Sequence, residues 1–506
     1  MTGRAGGEYD AVVVGSGPNG LAAAVVLSSA GLKVLVAEGA PSPGGGCRTA
    51  PLSLPGFIHD VCSAAHPLAV ASPFFTRFDL ASRGVRLLEP EVQYCQPLDG
   101  GRAAAVVRSV ESTAASLGAD ARAYRNVYAG LVEHADALVE AILSSLRTVP
   151  RQPGAAVGFG LRSVLPASAL VRRFHSEEAR ALFGGASAHS MIRLDRPPSA
   201  AVGLFLGMLA HAHGWPVVEG GSGRIVQAMV EAIERRGGVV ATGTWVRSLG
   251  DLPPARAILL DVGPRALVAI AGHLLPARYR RALVRFRYGD GVCKVDFALS
   301  APVPWAAEAC RRSATLHLGG TFEEVARSEA EVAAGRHPGA PYVLVVQPGV
   351  VDRSRAPDGR QSLWSYCHVP AGSTVDMAPR IARQIERFAP GFRDLVLAQQ
   401  VTTAADEERG NPNYVGGDIA SGAQTVRQTL ARPLPRWNPY RTPIPGVYLC
   451  SASTPPGPGV HGRCGELAAL LALREVFGVR EPPDLAPDAG PPGRARSMSR
   501  ERRDGR

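Results

Sequence analysis

Lysine is nearly missing from this 506-residue chain. Of its 55 basic residues only Lys33 and Lys294 are lysines, and the other 53 are arginines. They lie singly or in pairs among 44 acids, so the net charge of +11 marks no cluster of the kind a nucleic acid needs. Cysteine is sparse too. The eight, at 47, 62, 95, 293, 310, 367, 450 and 464, form neither a C-x-x-C pair nor a zinc spacing. That excludes a disulfide-stapled scaffold and points to reduced thiols in a cytoplasmic protein. No apolar run approaches the ~18–20 residues of a membrane span. Residues 1–10 lack the charged start and apolar stretch of a secretory leader. Aromatics are only 6%, yet 46% of the chain is hydrophobic, too much for a disordered polymer.

What is present is concentrated first near the N-terminus. Residues 9–14 (YDAVVV) read as a buried strand, followed by Gly15-Ser16-Gly17-Pro18-Asn19-Gly20. A small-residue helix, LAAAVVLSSA, then stops at Gly31, and a second strand over 32–37 ends at Glu38. Strand, glycine loop, helix, strand and acid in this order are a dinucleotide-binding fingerprint. Gly15 makes the tight turn, Gly17 admits a pyrophosphate, and Gly20 brings the helix close to the strand. Ser16, Pro18 and Asn19 complete a loop over the helix N-terminus, whose free N–H groups favour phosphate. Glu38 suits an adenosine ribose and repels a 2′-phosphate.

Beyond Glu38 and Gly39 the chain enters a second glycine loop, Gly44-Gly45-Gly46, with Arg48 behind it. A nicotinamide domain would continue into a crossover helix here. The loop suits a longer ligand and favours FAD over NAD. A second G-x-G-x-x-G does not occur, and Gly220-Gly221-Ser222-Gly223 has the wrong spacing. Cys47 and Cys62 are too far apart in sequence for an adjacent redox pair. Asp60 reads as a structural acceptor, and His66, beside the glycine loop, as a candidate acid/base. His211 and His213 lack a third ligand and read as core.

The blocks YDAVVVGSGPNGLAAA, GGGCRT, LPGFIHDVCSAAHPLAVASPFF, KVDFALSAPVPW, NPNYVGGDI and PIPGVYLCSASTPPGPGVHGRCGELAA run from about residue 9 to 475. They resemble the phytoene desaturase-like FAD oxidoreductases, more narrowly the branch containing pyridine nucleotide-disulfide oxidoreductase domain-containing protein 2. The resemblance implies an α/β fold. A FAD-binding Rossmann-like domain of the glutathione reductase/amine oxidase type is assembled from discontinuous segments, with an inserted α+β substrate domain. The FAD domain then takes 1–90, 215–290 and 431–478. The substrate domain takes 91–214 as its helical part and 291–430 as its sheet part. Residues 479–506 are expected to be a disordered tail, basic enough for peripheral contact with an anionic membrane. Within 215–290, VVATGTWVRSL is expected as paired strands, with Val246 touching adenine through its backbone, and ARAILLD as a buried parallel strand.

The same resemblance sets the loop 454–462 against the flavin. Gly459, Val460, His461 and Gly462 would be cofactor contacts, and the helix that follows would aim its N-terminus at the N1/O2 edge. His461 is thus a second acid/base candidate. Carotenoid desaturases usually carry Thr-His-Pro-Gly and a later Pro-Gly in this loop. Here Thr454-Pro455-Pro456-Gly457 and His461 stand instead, which argues against a carotenoid. The expected activity is FAD-dependent dehydrogenation, with hydride passing from a C–H of an apolar, isoprenoid-like small molecule to flavin N5. Two rivals use the same fold: an amine oxidase with Lys294 holding a water at the flavin, and a non-redox prenyl-binding protein.

Overall fold

The computed structural model describes residues 8–144 and 148–487. Ala11–Val14 is buried at all four positions, as a strand covered on both faces must be. It pairs in parallel with Val34–Ala37 on one side and Ala257–Leu260 on the other. Val239–Ala241 and Val447–Leu449 complete a five-stranded parallel sheet. Across the sheet, the strands stand third, second, first, fourth, fifth in chain order. In such a doubly wound sheet, ligands sit beyond the carboxyl ends where the order reverses. The loops after Val14, Ala37, Leu260 and Leu449 therefore face one place.

Helix Pro18–Ser29 has proline in its first turn, where the missing N–H costs nothing. Every residue from Asn19 to Ser29 is buried, because a helix this apolar on all sides needs cover on all sides. The sheet covers one side and helix Arg463–Ala472 the other. The two helices touch so closely at Gly465 that a Cβ there would collide with the Asn19 carbonyl oxygen.

The second body is built on a seven-stranded mixed sheet. Its order is Val396–Thr402, Gly291–Leu299, Gln361–Val369, Val343–Val346, Thr315–Leu318, Tyr94–Pro97, Ala103–Val106. Helices Ala121–Glu133, Ala135–Ile142, Glu177–Ala188 and Ser199–Ala212 cover one face, where Tyr128, Leu138, Phe183 and Leu204 join Tyr94, Tyr342 and Trp364 in one core. Ile381, Ile385 and Phe388 of helix Ala378–Phe388 cover the other face, against Val295, Phe297 and Leu363.

Three expectations change. The segment 91–214, read as helical, also supplies two strands to this sheet; alternation in YCQP and AAAV is too short to stand out. Within it the helices of 110–142 are interrupted at Gly118–Asp120 and His134, and residues 145–147 lie outside the described residues. VVATGTWVRSL forms one strand, Val239–Ala241, and then turns at Gly243, leaving Trp245 and Val246 in irregular backbone. Of the tail, residues 488–506 lie outside the described residues, while 479–487 are fastened: Leu485 is buried, its carbonyl accepts from Arg83 Nη2 at 2.7 Å, and the Ala486 carbonyl accepts from Arg236 Nη2. Among the described residues no single helix is long and apolar enough to cross a membrane.

Two glycine substitutions separate packing from helix propensity. Gly465→Ala should destabilise the protein by about 3 kcal/mol through overpacking. Gly130→Ala, at an exposed position of helix Ala121–Glu133 where a Cβ meets nothing, should stabilise it by ~0.5–1 kcal/mol. Thermal or denaturant unfolding of both variants checks the contrast.

Candidate functional site

The turn after Val14 is possible because Gly15 adopts φ +94°, a region that side chains disfavour. Its N–H donates to the Ala37 carbonyl at 2.8 Å. Glu38 locks the loop: one carboxylate oxygen accepts from Ser16 N at 2.8 Å and Ser16 Oγ at 2.5 Å, the other from Ala40 N at 2.7 Å. Asp261, at the end of strand Ala257–Leu260, accepts the Gly20 N–H at 2.9 Å. Burial, only partly offset by that bond and reinforced by the charge of Glu38, pushes Asp261 up to about 7. A Cβ on Gly17 would come within 2.7 Å of the Asp261 carboxylate, and one on Gly45 within 3.2 Å of the Gly17 backbone. The two glycine loops thus meet face to face, with Gly44 N donating to the Ser16 carbonyl at 3.0 Å.

These loops form one end of a cavity of about 1260 Å³, larger than the roughly 300–1,000 Å³ typical of a single small-ligand site. Gly15, Ser16, Gly17, Pro18 and Asn19 line it, as do Glu38, Gly39, Gly45, Arg48 and Val246. Arg48 is held against the loop by Nε donating to the Gly45 carbonyl at 2.8 Å. The cradle fits a dinucleotide. Gly15 to Asn19 would hold the pyrophosphate, Glu38 the ribose, and the Val246 segment the adenine. Beside Val246, the ring of Trp245 fills the space over Gly39. Sequence reasoning missed both Trp245 and Asp261, although ARAILLD ends in an acid and TGTWV places an aromatic next to the expected contact.

Four expected contacts are not on the cavity wall. Gly20 faces the strand instead, where a Cβ would collide with the Gly15 carbonyl. Gly44 stitches the two loops together. Gly462, at φ +68°, caps helix Arg463–Ala472 and packs against Phe74 and Ala22. His461 is the main correction. It is fully buried; Nδ1 accepts from Arg463 N at 3.0 Å and Nε2 donates to the Gly457 carbonyl at 3.1 Å. Both ring nitrogens are used by the protein, so His461 shapes the loop and has no nitrogen left for acid/base work. Gly459 and Val460 do line the cavity.

His66 lines it as well, and neither of its ring nitrogens has a hydrogen-bond partner. Burial lowers it to about 4, so the ring is neutral. Around it the wall comprises apolar helix residues such as Leu138, Ile142, Phe159 and Phe205, and the sheet residues Leu344, Val346, Trp364 and Tyr366. The last two arise from alternation in QSLWSYC, a signal the low overall aromatic content hid.

Behind the wall lies a buried ionic network. Asp60 accepts from Thr49 Oγ1, Ser222 N and Oγ, and Arg355 Nη2 at 2.7–2.8 Å. Burial would raise it, but Arg355 and Ser222 hold it below its ordinary value. Lys294 is paired with Asp296, which stands 3.5 Å from His59 Nδ1. Cys47 and Cys62 are both on the wall; burial pushes the Cys62 thiol up to about 12, and the Cys47 thiol donates to the Ser222 carbonyl. His211 is held by Tyr124 and the Arg108 carbonyl, and His213 faces Asp136.

A doubly wound parallel sheet whose strand ends open into a glycine-lined cavity is the architecture of a dinucleotide-binding protein. Residues 13–78 match the NAD(P)-binding Rossmann-like domain. Mouse pyridine nucleotide-disulfide oxidoreductase domain-containing protein 2 is 27% identical over 94% of this chain and 95% of its own. The lycopene-forming phytoene desaturase of Pseudescherichia vulneris is 24% identical over 91% and 98%. Among solved structures, a putrescine oxidase redesigned for cofactor binding superposes with a TM-score of 0.58 at 17% identity, covering 93% of this chain and 99% of that one. The resemblance to the phytoene desaturase-like FAD oxidoreductases therefore holds along nearly the whole chain.

The His461 geometry carries a signed pH dependence. Burial lowers the ring from 6.5 to about 4, so on acidification the unfolded chain takes up the proton first. The ring's contribution is complete above pH 6.5 and is lost as pH falls toward 4. Wild type should melt above His461→Phe at pH 7.5, and the gap should narrow by pH 4.5 in calorimetric scans.

Proposed function

We infer that this FAD-dependent oxidoreductase is a dehydrogenase or desaturase acting on a C–H bond of an apolar small molecule. One observation carries the reading: the glycine loops and the apolar chamber walled by Leu138, Phe159, Phe205 and Val346 belong to a single cavity. FAD, when bound, supplies the hydride acceptor. The chain's own part is to hold the cofactor with the two glycine loops and Glu38, and to orient an apolar substrate away from water. Lys294 supports the amine oxidase rival poorly, since it is buried in its pair with Asp296 and is not on the cavity wall.

Purified protein should show a flavin spectrum, and anaerobic addition of apolar isoprenoid or polyketide-like molecules should bleach it while amines do not. Peroxide production from amines, lost in Lys294→Met, would move the assignment to an amine oxidase. A colourless protein that takes up no FAD would make it a binding protein.

Access for such a substrate favours helix Pro153–Ser163. Ala156, Phe159 and Gly160 face the cavity, while Val157 and Leu161 are 61% and 69% exposed. This helix, rather than the tail, is the better candidate for peripheral membrane contact. Val157→Glu/Leu161→Glu should reduce co-flotation with anionic vesicles several-fold and leave the flavin spectrum intact, whereas removing 488–506 should change flotation little.

A further inference from the structure

The wall of the apolar chamber contains polar side chains left without partners. Both ring nitrogens of His66, Nε1 of Trp215, Nε1 of Trp364 and Oγ1 of Thr315 are buried without a hydrogen-bond partner, and all four residues are on the cavity wall. None is more than 5% exposed.

Their positions are set by the fold. Thr315 and Trp364 are both registered to Val346, on either side of it in neighbouring strands, so the three side chains stand on one face of the sheet. The His66 N–H donates to the Pro216 carbonyl at 2.8 Å, which ties His66 to the residue following Trp215. The Trp215 ring is fixed by Tyr94, His189 and His317 at centroid distances of 5.1–6.1 Å, and Trp364 by Tyr366 at 5.2 Å. The neighbouring His189 and His317 are joined Nε2 to Nε2 at 2.8 Å; His317 Nδ1 is also unpaired, but His317 is not on the cavity wall.

An indole N–H can only donate. Two indoles, a hydroxyl and an imidazole without partners therefore call for an acceptor, because a buried polar group left unpaired is costly. A carboxylate would find no free countercharge there: burial keeps His66 neutral, and Lys294, 6.0 Å from the Trp364 ring centre, and Arg355 are already paired with Asp296 and Asp60. An ammonium cannot pair with the two indole N–H groups, which only donate. A neutral oxygen has two lone pairs, one for each indole.

We propose that His66, Trp215, Thr315 and Trp364 form a recognition site for a neutral carbonyl oxygen, so that the substrate is an apolar carbonyl compound and not a plain hydrocarbon or an amine. This deepens the dehydrogenase reading and rests on it for the reaction, but not for the binding. The carbonyl fixes which part of an otherwise featureless apolar chain is held, and hence which C–H is presented.

Calorimetric titration of holo- and apoprotein with geranylacetone, its parent hydrocarbon and geranylamine tests the site. The ketone should bind at least ten-fold more tightly than the other two. Thr315→Val, which keeps the shape and removes the hydroxyl, and Trp364→Phe should each cut that preference about five- to ten-fold, leave hydrocarbon binding unchanged, and retain the flavin. Equal affinity for ketone and hydrocarbon would overturn the proposal, as would tighter binding of the amine. It would also fall if the variants lost flavin while the ketone preference survived, since the donors would then serve the cofactor. Ketone preference in a protein that never bleaches would keep the recognition site and refute the dehydrogenase reading.

Discussion

Everything in the dinucleotide-binding half depends on how closely backbone can approach backbone around helix Pro18–Ser29. At Gly20 the helix meets the loop that leaves the first strand, and at Gly465 a second helix meets the first, each without room for a side chain. These contacts seat the helix N-terminus directly behind the carboxyl ends of the strands. They also bring Asp261 onto the Gly20 N–H and Gly45 onto Gly17. Widening either contact would move the helix end that a pyrophosphate has to meet.

A second constraint is the handling of polarity inside a largely apolar molecule. Most buried polar groups are paired locally: Asp60 with Arg355, Lys294 with Asp296, His461 with its own loop. Arginine supplies most of the cations, and the two lysines take no part in the cavity wall. Among the buried groups that have no partner, those of His66, Trp215, Thr315 and Trp364 belong to the cavity wall, and ligand sites are where such groups are retained.

The parts that were legible in the sequence are those written locally. Residues 9–38 declare strand, loop, helix, strand and acid within thirty positions, and Gly15, Gly17, Glu38 and Arg48 all come to the cavity. The division of the chain between two bodies was legible only through resemblance. What was not legible depends on distant convergence. Asp261 reaches Gly20 across 241 positions, and Thr315 and Trp364 come to one sheet face, on either side of Val346, only through register. His461 misled because a histidine beside an expected redox centre looks chemical, whereas the backbone at Gly457 and Arg463 decides which way its nitrogens point. The stretch 479–487 looked unstructured by composition, and two carbonyls on Arg83 and Arg236 hold it.

The strand order has a consequence for biosynthesis. The parallel sheet begins with residues 11–14 and 34–37, waits some two hundred residues for 239–241 and 257–260, and closes only with 447–449. A ribosome has therefore made nearly nine-tenths of the chain before the last strand can add to the sheet. Until then the glycine loops have no finished platform, and the early strands spend the interval with apolar surface uncovered. The complete platform for a dinucleotide exists only once residue 449 has been made.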